Sequence, residues 1–278
     1  NEEYSFIEYS INKKRHQFHT LTDKNVFKSN DKNVFKSIFL HSKELKKYYN
    51  EHTDEKGKQT LKGYDKSIYA DYLTLDIDNK DLSISLETIR KFLQHLLHKY
   101  DIEPTYLRIN FSGSKGFHIR IPAELFGDFT PSTHLHKQIK FIAEEITKGF
   151  DHYDYSIYKR TFFIRELNTI NSKTGLRAIP LSYNEVMNLS IEDIKTLAVQ
   201  ERMVDYIDVD ELTANEHLVS LRIESEKIKV TDDDAEEDEE DNTNYDERWT
   251  KRTAGCRYEQ VSKIIGHFIN YYLPSKSI

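Results

Sequence analysis

Residues 73–78 read LTLDID and alternate strictly between apolar and polar side chains. This period of two predicts a β-strand with one face buried in a core. On such a strand Asp76 and Asp78 share the opposite face, about 7 Å apart along the backbone. Two neighbouring carboxylates repel each other unless a cation or a basic side chain lies between them. The pair therefore suits Mg²⁺ or Mn²⁺, and the alternative is a strand end whose acids face water.

Helical and strand-like periodicities are mixed along the chain. Apolar residues recur at helical spacing over 86–100, 135–146 and 258–272. Two shorter helices are predicted at 43–50 and from Ser190, where Asp193 completes a capping box. Strands are predicted at 34–40, 68–78, 106–111, 117–121, 161–165 and 176–181. Because this order has no regular βαβ rhythm, it predicts an α+β fold.

The charge of the chain is unevenly distributed. The 278 residues carry a net charge of −7, but residues 232–241 hold nine acids, and the remainder sums to +2. Such a block predicts a solvated, disordered linker. The single cysteine, Cys256, excludes an internal disulfide and any cysteine-based zinc site supplied by this chain alone. No apolar run approaches the ~18 residues of a membrane span and no leader opens the chain, which predicts an intracellular protein.

These patterns predict four regions. Residues 1–33 form an N-terminal segment that includes a duplicated DKNVFKS, predicted to be a tolerant surface loop. Residues 34–225 form the folded core. Residues 226–247 form the acidic linker, and residues 248–278 form a helical segment that opens an accessory domain.

Residues 112–118 read SGSKGFH and form a glycine-rich turn between two predicted strands. Glycines at 113 and 116 let the backbone turn and approach a ligand closely. With the backbone amides, the side chains that could bind an anion are Ser112, Ser114, Lys115 and His118. The turn is not a Walker loop, because GxxxxGK[ST] is absent. The alternative is a plain hairpin.

Residues 151–181 hold a third carboxylate candidate and many cations. Asp154 is favoured over Asp151 because it enters a strand-like run directly. The cations are Lys159, Arg160, Arg165, Lys173 and Arg177. Alternation along 163–165 predicts that Arg165 points away from the core and into a cleft. The alternative is a solvated basic edge.

Taken in order, these elements resemble the archaeo-eukaryotic primase superfamily, and in particular its PrimPol-like branch. The matching motifs in residues 73–181 are Asp-x-Asp at 76–78, Ser-Gly-x-Lys-Gly-x-His at 112–118, Asp-x-x-Ile-Tyr at 154–158 and Lys-Thr-Gly-Leu-x-x-Ile-Pro-Leu at 173–181. The last motif is similar to members from phage, plasmid and CRISPR-linked operons. The resemblance implies a mixed N-terminal lobe and an RRM-like sheet, with the active-site cleft between them.

The resemblance also implies a two-metal nucleotidyltransferase, in which Asp76, Asp78 and Asp154 hold two Mg²⁺ or Mn²⁺ ions. The residues it implies for binding the nucleotide triphosphate are Ser112, Ser114, Lys115, His118, Arg160, Arg165 and Lys173. One position departs from the family, since many relatives have arginine where this chain has Phe162. Arg160 is the candidate to replace that arginine. The zinc module of many primases is missing from this chain.

The implied activity is template-dependent primer synthesis and extension, with a single-stranded DNA template, NTP or dNTP substrates, a fused or separate helicase and no membrane. Candidate template contacts are Lys13, Lys14, Arg15, Lys46, Lys47, Tyr48 and Tyr49. Three alternatives stay open. They are a gap-filling or lesion-bypass polymerase that does not initiate, a catalytically weak nucleic-acid-binding module, and a metal-dependent nuclease, which would not need the turn at 112–118.

Overall fold

The fold was analysed in a computed structural model, which describes residues 3–24, 26–28 and 30–228. The acidic block at 232–241, Cys256 and the helix predicted at 258–272 lie outside the described residues. The described part combines two antiparallel sheets with six α-helices, so the α+β prediction is confirmed. None of its helices has the length and apolar character needed to cross a membrane.

A four-stranded antiparallel sheet forms the centre of the fold. Its spatial order is β10 (Ile179–Leu181), β7 (Arg108–Phe111), β8 (Gly116–Pro122) and β6 (Tyr72–Asp78). The aliphatic residues of β6 are at most 1% exposed, as the alternation in the sequence predicts. The opposite face carries Asp76 and its cross-strand neighbours, so one sheet supplies both a core surface and a polar surface.

Helices cover the apolar face of this sheet. The long helix α2 (Leu82–Tyr100) and helix α3 (Leu135–Ile146) both contact β6, and α6 (Glu216–Ser225) contacts α3. The Asp81 side chain caps the N-terminus of α2 by accepting from the Ser83 amide. The periodicity predicted both long helices correctly.

The second sheet combines strands from the N-terminal part of the chain with one strand from much later in the sequence. Its order is β5 (Ile68–Tyr69), β4 (Leu40–His41), β1 (Phe6–Ile11), β3 (Phe35–Ser37) and β9 (Phe163–Arg165), with β2 (Lys14–Thr20) pairing the other edge of β1. Helix α1 (Glu44–Glu51) follows β4. Strands β1 and β2 had no counterpart in the sequence prediction, which left 1–33 without regular structure.

Two predicted strands are each divided in the structure. The run 68–78 contains β5 in one sheet and β6 in the other, with the buried Ala70 at the crossing. The run 34–40 bends after β3, where the Ser37 hydroxyl donates to the Phe39 carbonyl at 2.8 Å. Apolar residues lie on both sides of each break, so periodicity alone could not locate it.

The duplicated heptapeptide is only partly a surface loop. Among the described residues of the first copy, Asp23, Lys24 and Lys28 are exposed. The second copy contradicts the prediction of a surface loop and agrees with the strand predicted at 34–40. Val34 is fully buried, and residues 35–37 form β3 between β1 and β9. A central strand position explains why this copy is buried.

The capping box predicted at the start of α5 (Ile191–Leu197) is confirmed, with Ser190 and Asp193 in reciprocal hydrogen bonds. The preceding helix α4 (Tyr183–Asn188) was missed, although Ser182 and Glu185 form the same box. Here the sequence carried a usable signal, because serine followed by glutamate three residues later is the motif itself.

His41 allows a test of the second sheet by pH. Burial, opposed by the charge of Glu8 and assisted by that of Arg160, lowers the pKa of His41 from 6.5 to about 4. As pH falls from about 6.5 to about 4, His41 therefore becomes protonated in the unfolded chain but stays neutral in the folded chain. We expect the free energy of unfolding to fall over this window, by up to about 3 kcal/mol from His41 alone. Chemical denaturation at several pH values measures the change.

His41→Gln removes this titration and should flatten the pH dependence over the same window. His98→Gln, at an exposed position on α2, should leave it as in the unsubstituted chain. An equal slope in all three proteins would show that His41 is not held in its neutral form by the fold.

Candidate active site

The third carboxylate lies beside the first two because residues 152–154 pair with the free edge of β6. The Asp154 amide donates to the Asp76 carbonyl at 3.0 Å, and the Asp78 amide donates to the His152 carbonyl at 3.0 Å. Ile77 and Tyr153 form an antiparallel bridge between them. The backbone thus places Asp154 next to Asp76, although 77 positions separate them along the chain.

The carboxylates of the site carry more negative charge than the neighbouring lysine balances. Asp76 is 4% exposed, and burial, followed by the charges of Asp154 and Asp78, raises its pKa well above the usual range. Burial also raises the pKa of Asp78, although the Lys115 ammonium lies 2.8 Å from its Oδ2 and acts in the opposite direction. Like charges that share a buried site favour a bound cation or a proton.

His118 and Asn110 extend this row across the sheet. His118 is the register partner of Asp76 on one side and of Asn110 on the other. Its Nε2 lies 3.6 Å from Asp76 Oδ1. Burial, then the charges of Arg120 and Arg165, lowers the pKa of His118 to about 4. The imidazole is therefore neutral near pH 7 and interacts with ligands by hydrogen bonding.

The sequence analysis missed Asn110, which is 3% exposed and whose Oδ1 forms no hydrogen bond within the described residues. A signal was available, because Asn110 lies between the apolar Ile109 and Phe111, two positions before Ser112. The period of two places it on the polar face. We use "acidic row" for Asp154, Asp76, His118 and Asn110 together, with Asp78 two residues along β6.

The turn at 112–116 is held firmly on both sides. Its own closure is a pair of bonds, from the Ser112 amide to the Gly116 carbonyl at 3.0 Å and from the Gly116 amide to Ser112 Oγ at 3.2 Å. Ser85 Oγ donates to the Lys115 carbonyl at 3.0 Å, and Thr174 Oγ1 donates to the Gly113 carbonyl at 2.6 Å. The half-buried Ser114 lies at its tip.

Glycine is required at 116 by close approach of the backbone. A Cβ there would overlap the Ile77 carbonyl oxygen of the neighbouring strand. Gly116 is the register partner of Asp78. The contact therefore brings the first residue of β8, and the turn before it, against Asp78. The turn and the carboxylates are therefore adjacent.

The three basic candidates lie in different surroundings. Arg165 donates to Asn33 Oδ1 at 3.1 Å, stacks on Phe35 and is close enough to lower the pKa of His118. Lys173 is exposed in the loop that Thr174 ties to the turn.

Arg160 lies elsewhere, donating to the carbonyls of Lys66 and Thr133 and so joining two loops. Phe162, at the position where many members of the superfamily that the sequence resembles have arginine, is a core residue at 6% exposure. The nucleotide-binding role of Arg160 stays a prediction, and these bonds give it a structural role.

The donor set agrees with a divalent cation in its chemistry. Within the described residues Oδ1 of Asp78 is buried without a hydrogen bond, and carboxylate oxygens are the ligands that Mg²⁺ and Mn²⁺ prefer. In residues 3–228 as described, however, no three Asp, Glu, His or Cys side chains converge on a single point in ligating geometry. The backbones are close enough for the purpose, and rotation of these side chains would be needed to hold an ion.

Comparison with known proteins gives no match in sequence and a weak similarity in structure. No family model matches the chain, and no curated protein matches it. A solved structure, the polymerase domain from Mycobacterium tuberculosis ligase D in complex with DNA, is similar at 16% identity and a TM-score of 0.35. The similarity covers 59% of this chain and 58% of that one, less than two thirds of the length of either. Similarity at this level does not establish a shared activity.

Gly116 gives a structural test of the site. We expect Gly116→Ala to lower the free energy of unfolding by about 3 kcal/mol or more, because backbone rather than a flexible side chain would have to move. Gly57→Ala is the control, since its added Cβ meets nothing within 4 Å and costs only the strain of its φ of +73°, about 1–2 kcal/mol. Equal losses in thermal or chemical denaturation would contradict the close approach.

Asp76→Asn tests the self-repulsion of the carboxylates without an activity assay. In the metal-free protein it should raise the free energy of unfolding by about 1–3 kcal/mol, because it removes a poorly compensated buried charge. The unsubstituted protein should gain melting temperature with Mn²⁺, and Asp76→Asn should lose most of that gain. Asp101→Asn, an exposed control, should behave like the unsubstituted protein in both respects. A Mn²⁺ shift that survives Asp76→Asn would place the cation elsewhere.

Proposed function

We propose that this chain is the catalytic core of a template-dependent DNA primase-polymerase. It would join nucleotides on a single-stranded DNA template, starting primers and extending them. The observation that carries the proposal is the placement of Asp154, Asp76 and His118 in one row, directly beside the turn at 112–116. The proposed site for divalent cations and the proposed site for phosphates would thus share one face of one sheet.

The reaction needs these two sites together. The 3′-oxygen of the growing strand forms a bond to the α-phosphorus of an incoming nucleotide, the bond to pyrophosphate breaks, and the hydroxyl proton passes to solvent. Asp76, Asp78 and Asp154 would hold two Mg²⁺ or Mn²⁺ ions, which supply the Lewis-acid chemistry for both oxygens when bound. The carboxylates position the charge, and little covalent chemistry is required of the protein.

The turn is suited to the triphosphate. The Ser112 and Ser114 hydroxyls, the backbone amides and the Lys115 ammonium offer donors to phosphate oxygens. Neutral His118 offers a hydrogen bond at the boundary between this turn and Asp76. Arg165, whose charge acts on His118, and Lys173, in the loop that Thr174 ties to the turn, would add positive charge. A nuclease has carboxylates of this kind but no use for a triphosphate cradle, so the turn favours polymerisation over cleavage.

A surface on the second sheet would suit a single-stranded template. Tyr49 on α1 packs against His16 and Phe18 on β2, with ring centroids at 4.6 and 5.3 Å. Tyr48 stacks on His52 at 3.7 Å. Exposed lysines flank these rings at positions 13, 14, 46 and 47. Aromatic rings beside lysines suit base stacking and phosphate contact, and the structure brings together segments 13–18 and 46–49, which are distant in sequence.

The test is synthesis by the purified chain with Mn²⁺ or Mg²⁺, a single-stranded template and labelled nucleotides. We expect products both with and without a primer, and none from Asp76→Asn. Products that require a primer would favour the gap-filling alternative. DNA binding without any synthesis would reduce the chain to a binding module, and template degradation would indicate a nuclease.

His118→Ala should raise the KM for nucleotide about tenfold, the typical effect of losing one hydrogen bond to a charged group. The dissociation constant for template should not change. His98→Ala, at an exposed position on α2, should leave both constants as they are. An unchanged nucleotide KM in His118→Ala would count against the triphosphate assignment.

A further inference from the structure

The polar face of the four-stranded sheet continues beyond the acidic row into two arginines. Arg120 on β8 is the register partner of Arg108 on β7. Arg120 lies two residues from His118, and Arg108 lies two residues from Asn110, so they share the face of the acidic row about 7 Å further along. We use "arginine pair" for Arg108 and Arg120.

Neither member of the pair forms an ion pair with a carboxylate within the described residues. Arg120 stacks on the Tyr72 ring at 4.1 Å, and Arg108 stacks on the Tyr206 ring at 4.2 Å. Arg108 Nη2 donates to the Ile207 carbonyl at 2.7 Å. Arg120 Nε and Arg108 Nη1 are buried and form no hydrogen bond in this part of the chain.

Further polar atoms nearby have the same property. Asn110 Oδ1, the Tyr206 hydroxyl and Arg202 Nη1 are buried without a hydrogen bond within the described residues. Arg202 is itself paired with Glu185 at 2.6 Å. Burial raises the pKa of Asp71, and the charge of Arg120 acts in the opposite direction. The two side chains do not form an ion pair within the described residues. The surroundings therefore contain more donors and positive charge than acceptors.

This arrangement is costly in the chain alone. Like charges directly opposite on neighbouring strands repel, and buried donors without acceptors are unfavourable. A role in holding residues 201–208 on the sheet explains the Arg108 bond to Ile207 and its stacking on Tyr206. It does not explain Arg120, whose partner Tyr72 lies on β6. Two planar guanidiniums with several free donors suit a phosphate group, which accepts in a forked geometry.

The order of sites along the sheet indicates which phosphate. The turn at 112–116 lies at one end, Asp76 and His118 lie in the middle, and the arginine pair lies at the other end. In nucleotidyl transfer, pyrophosphate leaves on one side of the α-phosphorus and the 3′-oxygen attacks from the other. With the triphosphate at the turn, the arginine pair is on the side of the attacking strand.

We propose that Arg120, assisted by Arg108, binds a phosphate on the attacking side of the reaction. It is carried by the primer strand during extension, or by the nucleotide that takes the place of that strand in the first step. This inference rests on the proposed function and adds to it a site for the group that carries the 3′-hydroxyl.

The experiment measures binding of a labelled primer–template by fluorescence anisotropy over a range of salt concentrations, together with steady-state KM values for primer–template and for nucleotide. Arg120→Gln is the main variant, because it keeps a planar amide and loses the charge. Arg108→Gln is the second, and Arg120→Lys keeps the charge without the fork. Lys91→Gln is a control that removes one exposed charge from α2.

We expect Arg120→Gln to weaken primer–template binding about tenfold, as for one charge-assisted contact. The dependence of log Kd on log salt should become shallower by about 0.7–0.9, as for one released counterion. The nucleotide KM should not change. Arg120→Lys should recover the salt dependence but only part of the affinity. Lys91→Gln should match the unsubstituted protein.

A parallel arm without primer distinguishes the two sources of the phosphate. If the site also serves the first step, Arg120→Gln raises the nucleotide concentration needed for initiation, and if it serves the strand alone, only primer binding changes. Either result supports the proposal.

Three outcomes would overturn it. These are a lower melting temperature with primer binding and salt dependence unchanged, a higher nucleotide KM during extension with primer binding unchanged, or no effect at all. Failure of the unsubstituted chain to synthesise DNA would instead refute the proposed function, so the two failures are distinguishable.

Discussion

The hydrogen bonds between β6 and residues 152–154 hold together charges that would otherwise move apart. Asp76 and Asp154 are adjacent because the Asp154 amide binds the Asp76 carbonyl, while their carboxylates repel. The buried aliphatic face of β6 prevents any relief by slippage, because a shift of one residue would turn the acids into the core and the leucines outward. Burial of the apolar face under α2 and α3 therefore offsets the repulsion between the carboxylates on the polar face.

The rest of the site is attached to that strand through backbone. Gly116 lies against the Ile77 carbonyl with no room for a side chain, and Ser85 and Thr174 bind carbonyls of the turn from two sides. Side chains that would contact ligands, such as His118, then need only one rotamer each to reach the shared face. A site built in this way is positioned chiefly by backbone contacts with the sheet.

The sequence predicted the parts of the fold that local patterns determine. Alternation located β6, helical spacing located α2 and α3, and the resemblance to the primase superfamily implied that Asp154 would lie near Asp76. Tertiary context decided what it could not predict. The break between β5 and β6 depends on which sheet each strand joins, and Arg160 is drawn to the carbonyls of Lys66 and Thr133, which no spacing rule connects to it.

The duplication that begins at Asp23 has a consequence for how the second sheet chooses its strand. Two identical heptapeptides, eight positions apart, have the same intrinsic preference for the place between β1 and β9. Because the copies are identical, the first copy would bring the same side chains to the same positions of this strand. The selection therefore comes from the flanks, since apolar Ile38 and Phe39 follow the second copy and polar Asn30 follows the first. Neighbouring residues, and not the repeated segment, encode which copy the fold uses.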